Sequence, residues 1–112
     1  VFHGVVAQEL LAGAIDARRA RQVHEHLIAP FERRGRVVTP SFEAWKMAGR
    51  IMAELVDRGR MSRGGFARSF AADCVLAASC AEERLTLVTA NARDFDLIRE
   101  VVDVSIAAPW PA

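Results

Sequence analysis

Hydrophobic positions recur along this chain with two periods, dividing it into helices and short strands. From about 4 to 13, GVVAQELLAG carries Val5, Val6, Leu10 and Leu11, which predicts a short amphipathic helix closed by glycine. Asp16 is placed to cap a second helix over about 17–33, with Val23, Leu27 and Ile28 on its apolar face and Pro30 kinking or ending it. GRVVTP, 35–40, reads as a short strand. Ser41 then opens a helix from Phe42 to about Asp57, with Trp45, Ala48, Ile51, Met52 and Leu55 at helical spacing. DRGRMSRGG is a polar, glycine-rich loop. Beyond it the pattern predicts a helix over about 70–83, a strand over 85–89, a helical turn over 92–98 and a last strand over 101–106. The tail APWPA is irregular.

Strands that alternate with helices favour an α/β fold, with a parallel sheet covered by helices. Ligands of open α/β sheets bind beyond the carboxyl ends of the strands. The stretch LTLVTANARDFDLI has this form: an apolar strand, then Asn91, Asp94 and Asp96 within a few positions. Its length of 112 residues fits one domain.

Composition narrows the class. The chain is 52% hydrophobic, which excludes disorder, and no apolar run approaches the roughly 20 residues that span a bilayer. No secretory leader pattern is present in the sequence. Cys74 and Cys80 lie in a hydrophobic helical pattern without metal-ligand or CxxC spacing, and read as reduced core residues of a cytoplasmic protein. The net charge is only +1, yet fourteen of the fifteen basic residues are arginine. Arginine suits phosphate because its planar fork donates paired bonds, but a GC-rich genome produces the same bias. Arg58, Arg60, Arg63 and Arg68 cluster around the glycine-rich loop, either as RNA-phosphate contacts or as a solvated loop. His3, His24 and His26 lack ligand spacing and read as structural or exposed. Phe42, Trp45, Met47 and Met52 read as core or as a subunit contact, and Trp110 as packing on the domain or a partner.

The acids carry the chemistry. Asp73 sits in FAADCVLAASCA among small and apolar neighbours, and a buried carboxylate is costly unless paired. It is either the N-cap of its helix or a carboxylate held at a helix start and directed into a metal site. Glu9 lies in VVAQELLAG, and Asp94 and Asp96 could serve as caps.

Together these stretches resemble the PIN-domain ribonucleases, and most closely the VapC-type toxins of bacterial toxin–antitoxin pairs. Glu9, Leu10 and Gly13 match an EL…G setting. Asp73 with Val75, Leu76, Ala77 and Ala78 matches an aspartate that begins a small, apolar helix. Leu87, Val88, Thr89, Asn91, Asp94 and Phe95 match a strand and turn of the form LVTxNxxDF. The resemblance covers nearly the whole chain, as a single PIN-like domain.

The resemblance implies a divalent-metal-dependent endoribonuclease. Glu9, Asp73 and Asp94 would converge to hold Mg2+ or Mn2+, supported by Asn91 and Thr89, with Thr89 bonding a carboxylate or a metal-bound water. Such ions prefer carboxylate oxygen, neutralise charge and activate water. The partners implied are an RNA substrate, a cognate antitoxin and a second copy of the chain in a homodimer. An alternative is an inactive PIN-like module that binds RNA or protein. PIN domains open with a central strand ending in an aspartate, and no match for it precedes VFHGVVAQEL, so the domain is expected to be N-terminally incomplete. Without that strand, residues 1–112 alone are expected not to fold stably.

Overall fold

A computed structural model describes residues 2–62 and 64–109, with the side chains of Phe2, Val5 and Glu9 outside the described set. The element order is β1 (Phe2–His3), α1 (Gly4–Ala12), α2 (Ala17–Val23), a π-helical turn (His24–Ile28), α3 (Ala29–Arg33), β2 (Val37–Val38), α4 (Phe42–Asp57), α5 (Arg68–Glu82), β3 (Thr86–Val88), α6 (Ala92–Ile98) and β4 (Ser105–Ala107). Strand pairing is parallel throughout, as the alternation with helices implied. The described strands form two two-stranded sheets, β1 with β2 and β3 with β4. No helix among the described residues is long and apolar enough to cross a membrane.

The chain divides into two compact units, Val1–Thr39 and Pro40–Ala112. In the first, Phe2 pairs with Val37 and His3 with Val38. Asp16 caps α2 as expected, its carboxylate accepting the Arg19 amide at 2.8 Å. Pro30 neither ends nor breaks the helix. The π turn before it moves the hydrogen bonding out of register, with the Ala29 amide bonded to the His24 carbonyl, and Pro30 falls at the start of α3 where a missing donor costs little. His24 and Glu32 close across this turn at 2.9 Å. Of the expected apolar face, Ile28 is buried, Val23 is half-buried and Leu27 is exposed.

The second unit has the larger core. Ala44, Ala48, Ile51 and Leu55 form one stripe of α4, facing α5, on which Phe70, Cys74, Val75, Ala77, Ala78, Ser79 and Cys80 are all buried. The small residues of α5 allow close approach on more than one side, and α5 also contacts α6 and β3. Phe95, Ile98 and Val104 complete this core. Phe42 and Trp45 are 73% and 55% exposed, so they are not core residues. They fall off the α4 stripe, which runs through Ala44 and Ala48 instead. Ser41 caps α4 by accepting the Ala44 amide at 3.0 Å, and its hydroxyl reaches both Glu82 oxygens at 2.7 and 2.8 Å. One serine thus ties the start of α4 to the end of α5.

Three helices stop in the same way. After α3, the Gly35 and Arg36 amides bond the Glu32 and Phe31 carbonyls; after α4, Gly59 and Arg60 bond Val56 and Leu55; after α5, Arg84 and Leu85 bond Ala81 and Cys80. This Schellman pattern needs a left-handed residue at its turn. Gly35 and Gly59 supply it at φ 63° and 70°, but after α5 the position is held by Arg84 at φ 57°. A side chain there costs about 1–2 kcal/mol, part of which glycine returns through its looser unfolded state. Arg84→Gly is therefore expected to raise the unfolding free energy by about 0.5–1 kcal/mol, measured by urea denaturation; an unchanged or lowered midpoint contradicts this assignment.

Candidate active site

The strand β3 ends at Val88, and the chain turns through Thr89 to Asn91, the N-cap of α6. Asn91 is fixed three ways. Its backbone amide donates to Thr89 Oγ1 at 3.0 Å, and its Oδ1 accepts the Asp94 amide at 3.5 Å. Its side-chain nitrogen donates to Asp94 Oδ2 at 3.0 Å and to Asp73 Oδ2 at 3.3 Å. Residues 73 and 94, far apart in sequence, thereby place carboxylate oxygens within reach of one amide group. Both aspartates are half-buried.

Asp73 does not begin its helix. α5 starts at Arg68, with Ala67 as its N-cap, so Asp73 lies in the helix interior, one turn further in than expected. The helix begins after the extended Ala67, whose carbonyl accepts the Phe70 and Ala71 amides, and 68–72 continue it without a break. The N-cap alternative is thus excluded. The acid is accommodated because Asn91 brings it a donor from another element. Thr89 serves the site through the Asn91 backbone.

The pair also acts on its neighbour. The Cys74 thiol is fully buried, and burial, helped by the negative charges of Asp73 and Asp94, pushes its pKa up to about 12. Burial likewise raises Cys80. Both cysteines are free and buried, as their hydrophobic pattern implied.

The donor set between Asp73 and Asp94 is oxygen only, which suits a hard divalent cation. A partial positive charge, the Asn91 amide, lies between the two carboxylates. Among the described residues no third His, Cys, Asp or Glu joins them. Glu9 is placed on α1, but its side chain lies outside the described residues. Asp96 is exposed on α6.

Two of the loop arginines make exposed pairs within the chain. Arg58 Nη1 donates to the Glu100 carbonyl at 2.9 Å and Nε to Glu54 at 3.2 Å, and Arg60 pairs with the Glu100 carboxylate at 3.1 Å. They tie the start of the loop to the end of α6. Arg68 is exposed in the first turn of α5, and Arg63 lies outside the described residues, as does Trp110. The role of Glu100 escapes sequence reasoning, since it lies about forty positions from both arginines. The Glu54–Arg58 pair could have been found from its i,i+4 spacing. Of the histidines, His3 is buried, with its pKa lowered by desolvation, His24 pairs with Glu32, and His26 is exposed.

Residues 1–101 match the PIN domain family, and the chain belongs to it. Its fold is similar to that in the VapBC-1 structure from nontypeable Haemophilus influenzae, with a TM-score of 0.70 at 19% identity over 96% of this chain and 72% of that one. DNA-bound VapBC from Salmonella typhimurium gives 0.69 at 24%, covering 95% and 72%. FitAcB from Neisseria gonorrhoeae gives 0.68 at 21%, covering 98% and 75%. No curated protein matches the chain in sequence.

The Cys74 thiol carries a pH consequence. Its folded pKa lies above the unfolded value of 9.0. The resulting stability is fully present below pH 9 and is lost as the pH rises toward about 12, because only the unfolded thiol ionises in that window. Urea midpoints should fall over this range, and Cys74→Ala should fall less steeply; parallel profiles contradict the assignment.

Proposed function

We propose that this PIN-domain protein is a divalent-metal-dependent endoribonuclease, a VapC-type toxin restrained by a cognate antitoxin. The observation that carries the reading is the convergence of Asp73 and Asp94 on the Asn91 amide. Two carboxylates so close repel each other, and the fold places both where only donors and cations relieve the repulsion. A dead site has no physical reason to keep them together, which favours the enzyme over the inactive module.

In this reading Asp73 and Asp94 hold Mg2+ or Mn2+. When bound, the ion neutralises phosphate charge and lowers the pKa of water. Asn91 orients both carboxylates, and Thr89 holds Asn91 in turn. The RNA substrate, the antitoxin, a homodimer and a cytoplasmic location are parts of the same proposal. Its support is the sequence resemblance to VapC-type toxins and the fold shared with the VapBC structures.

The protein is expected to cleave single-stranded RNA with Mg2+ or Mn2+ and to stop when EDTA is added. Asp73→Asn and Asp94→Asn each remove one negative ligand while keeping the side-chain shape. Each should lower the cleavage rate by about 100-fold or more, on the scale of losing a transition-state electrostatic contact, with the thermal midpoint little changed. Cleavage that survives EDTA, or full activity in both variants, overturns the proposal.

A further inference from the structure

Beside its buried stripe, α4 carries a second apolar stripe. Phe42, Trp45, Gly49, Met52 and Val56 recur at steps of three and four, the spacing of a helix–helix seam. Phe42 and Trp45 are largely exposed, Gly49 is exposed, and Met52 and Val56 are half-buried. Gly49 is costly where it stands, because a glycine inside a helix is destabilising relative to alanine. Outside its own helix, no described atom lies within 4 Å of where a Cβ would stand. Nothing among the described residues therefore requires a glycine, whereas close approach of a second helix does.

The two ends of the stripe differ in shape. Seven residues before Gly49, the Phe42 ring stands exposed, with Lys46 Nζ 5.1 Å from its centre. Seven residues after Gly49, Val56 lines a cavity of about 370 Å3 with Met52, Ala53, Asp57 and Phe66. Phe66 is stacked on the buried Phe70 at 5.8 Å, which fixes that wall. Seven residues turn a helix through about 700°, so both ends lie within about 20° of the Gly49 direction and about 10 Å from it along the axis. A knob and a hole at equal distances from one glycine are self-complementary. With a second copy laid antiparallel about a two-fold axis at Gly49, each Phe42 falls on the other copy's cavity, each Trp45 meets Met52, and the two Gly49 backbones meet. A cavity of about 150 Å3 already holds a benzene ring, so a phenyl ring fits. The exposed parts of the four rings come to roughly 500 Å2, against the roughly 1,200 Å2 at which specific interfaces begin. Met52, Ala53, Val56 and Phe66 add to this area, which describes a small, concentration-dependent dimer.

We propose that this face of α4 is the seam of a homodimer, two copies packed antiparallel about Gly49. The occupant is a second copy because knob and hole belong to the same stripe and lie equally far from its centre. The inference rests on the reading above only in that the chain pairs with itself, and it uses no residue of the carboxylate site.

The test is sedimentation velocity of the full chain over about 1–100 µM, the range in which a small interface dissociates. The unaltered chain is expected to show a monomer–dimer equilibrium. Phe42→Glu and Gly49→Gln should each raise the dissociation constant about tenfold or more. Ile15→Gln changes an equally exposed apolar residue outside α4 and should leave it unchanged. Gly49→Gln should also raise the thermal midpoint of the monomer, because it replaces a glycine inside a helix, and this separates loss of the seam from loss of the fold. Gly49→Cys, on the two-fold axis, should form a disulfide-linked dimer with diamide, and Glu54→Cys, about 140° round the helix, should not. Cys74 and Cys80 are buried and do not compete. If the chain dimerises but neither Phe42→Glu nor Gly49→Gln weakens the dimer, this seam is overturned and the homodimer stands. If the unaltered chain stays monomeric throughout the series, seam and homodimer fall together and the ribonuclease reading is untouched.

Discussion

The Asn91 side chain has two amide hydrogens, and the fold directs both to carboxylates, one on α5 and one on α6. Most of what is chemically distinctive in the protein depends on this small group. Without it, Asp73 would lose a donor from the start of α6, and Asp94 would lose the link through Asn91 to α5. An ionised carboxylate only accepts hydrogen bonds, so two of them can share a site only around a donor or a cation. The Thr89 hydroxyl fixes the Asn91 backbone, and Asn91 also begins α6. One residue therefore sets the path of the chain and the separation of the two acids.

The surrounding framework keeps that separation constant. α5 is buried against α4 and contacts α6 and β3 through small side chains, so a shift of α5 would carry Asp73 with it. Two-stranded sheets are marginal in water by themselves, and in the second unit the helical core supplies the rigidity. Ser41 and Glu82 fasten the α4–α5 pair at one end, and the arginine contacts to Glu100 fasten the loop at the other. The site thus rests on helices held at both ends, as precise positioning requires.

Much of this was legible in the sequence. The start of α4 followed from Ser41 and its course from helical spacing, the helical turn over 92–98 coincides with α6, and the parallel α/β class followed from element order. The resemblance of LVTANARDF and ADCVLAA to PIN-domain motifs pointed to the family that the comparison then showed. The misses have physical causes. Asp73 marks a helix start only if something just before it stops the helix, and 68–72 do not. Pro30 breaks an α-helix, but a π turn absorbs it. Strand ends were over-extended because apolar residues such as Val101 and Val102 satisfy a strand pattern while lying in a turn. The Glu100 contacts are tertiary, and no local pattern encodes them.

If Asp73 and Asp94 form one cation site, electron paramagnetic resonance of Mn2+ will reveal it, since bound ion leaves the free-ion signal. The unaltered protein should bind Mn2+ saturably and release it to Mg2+, and binding should be strongly weakened in both Asp73→Asn and Asp94→Asn. Equal binding by the protein and both variants, or no saturable binding by the unaltered protein, would contradict it.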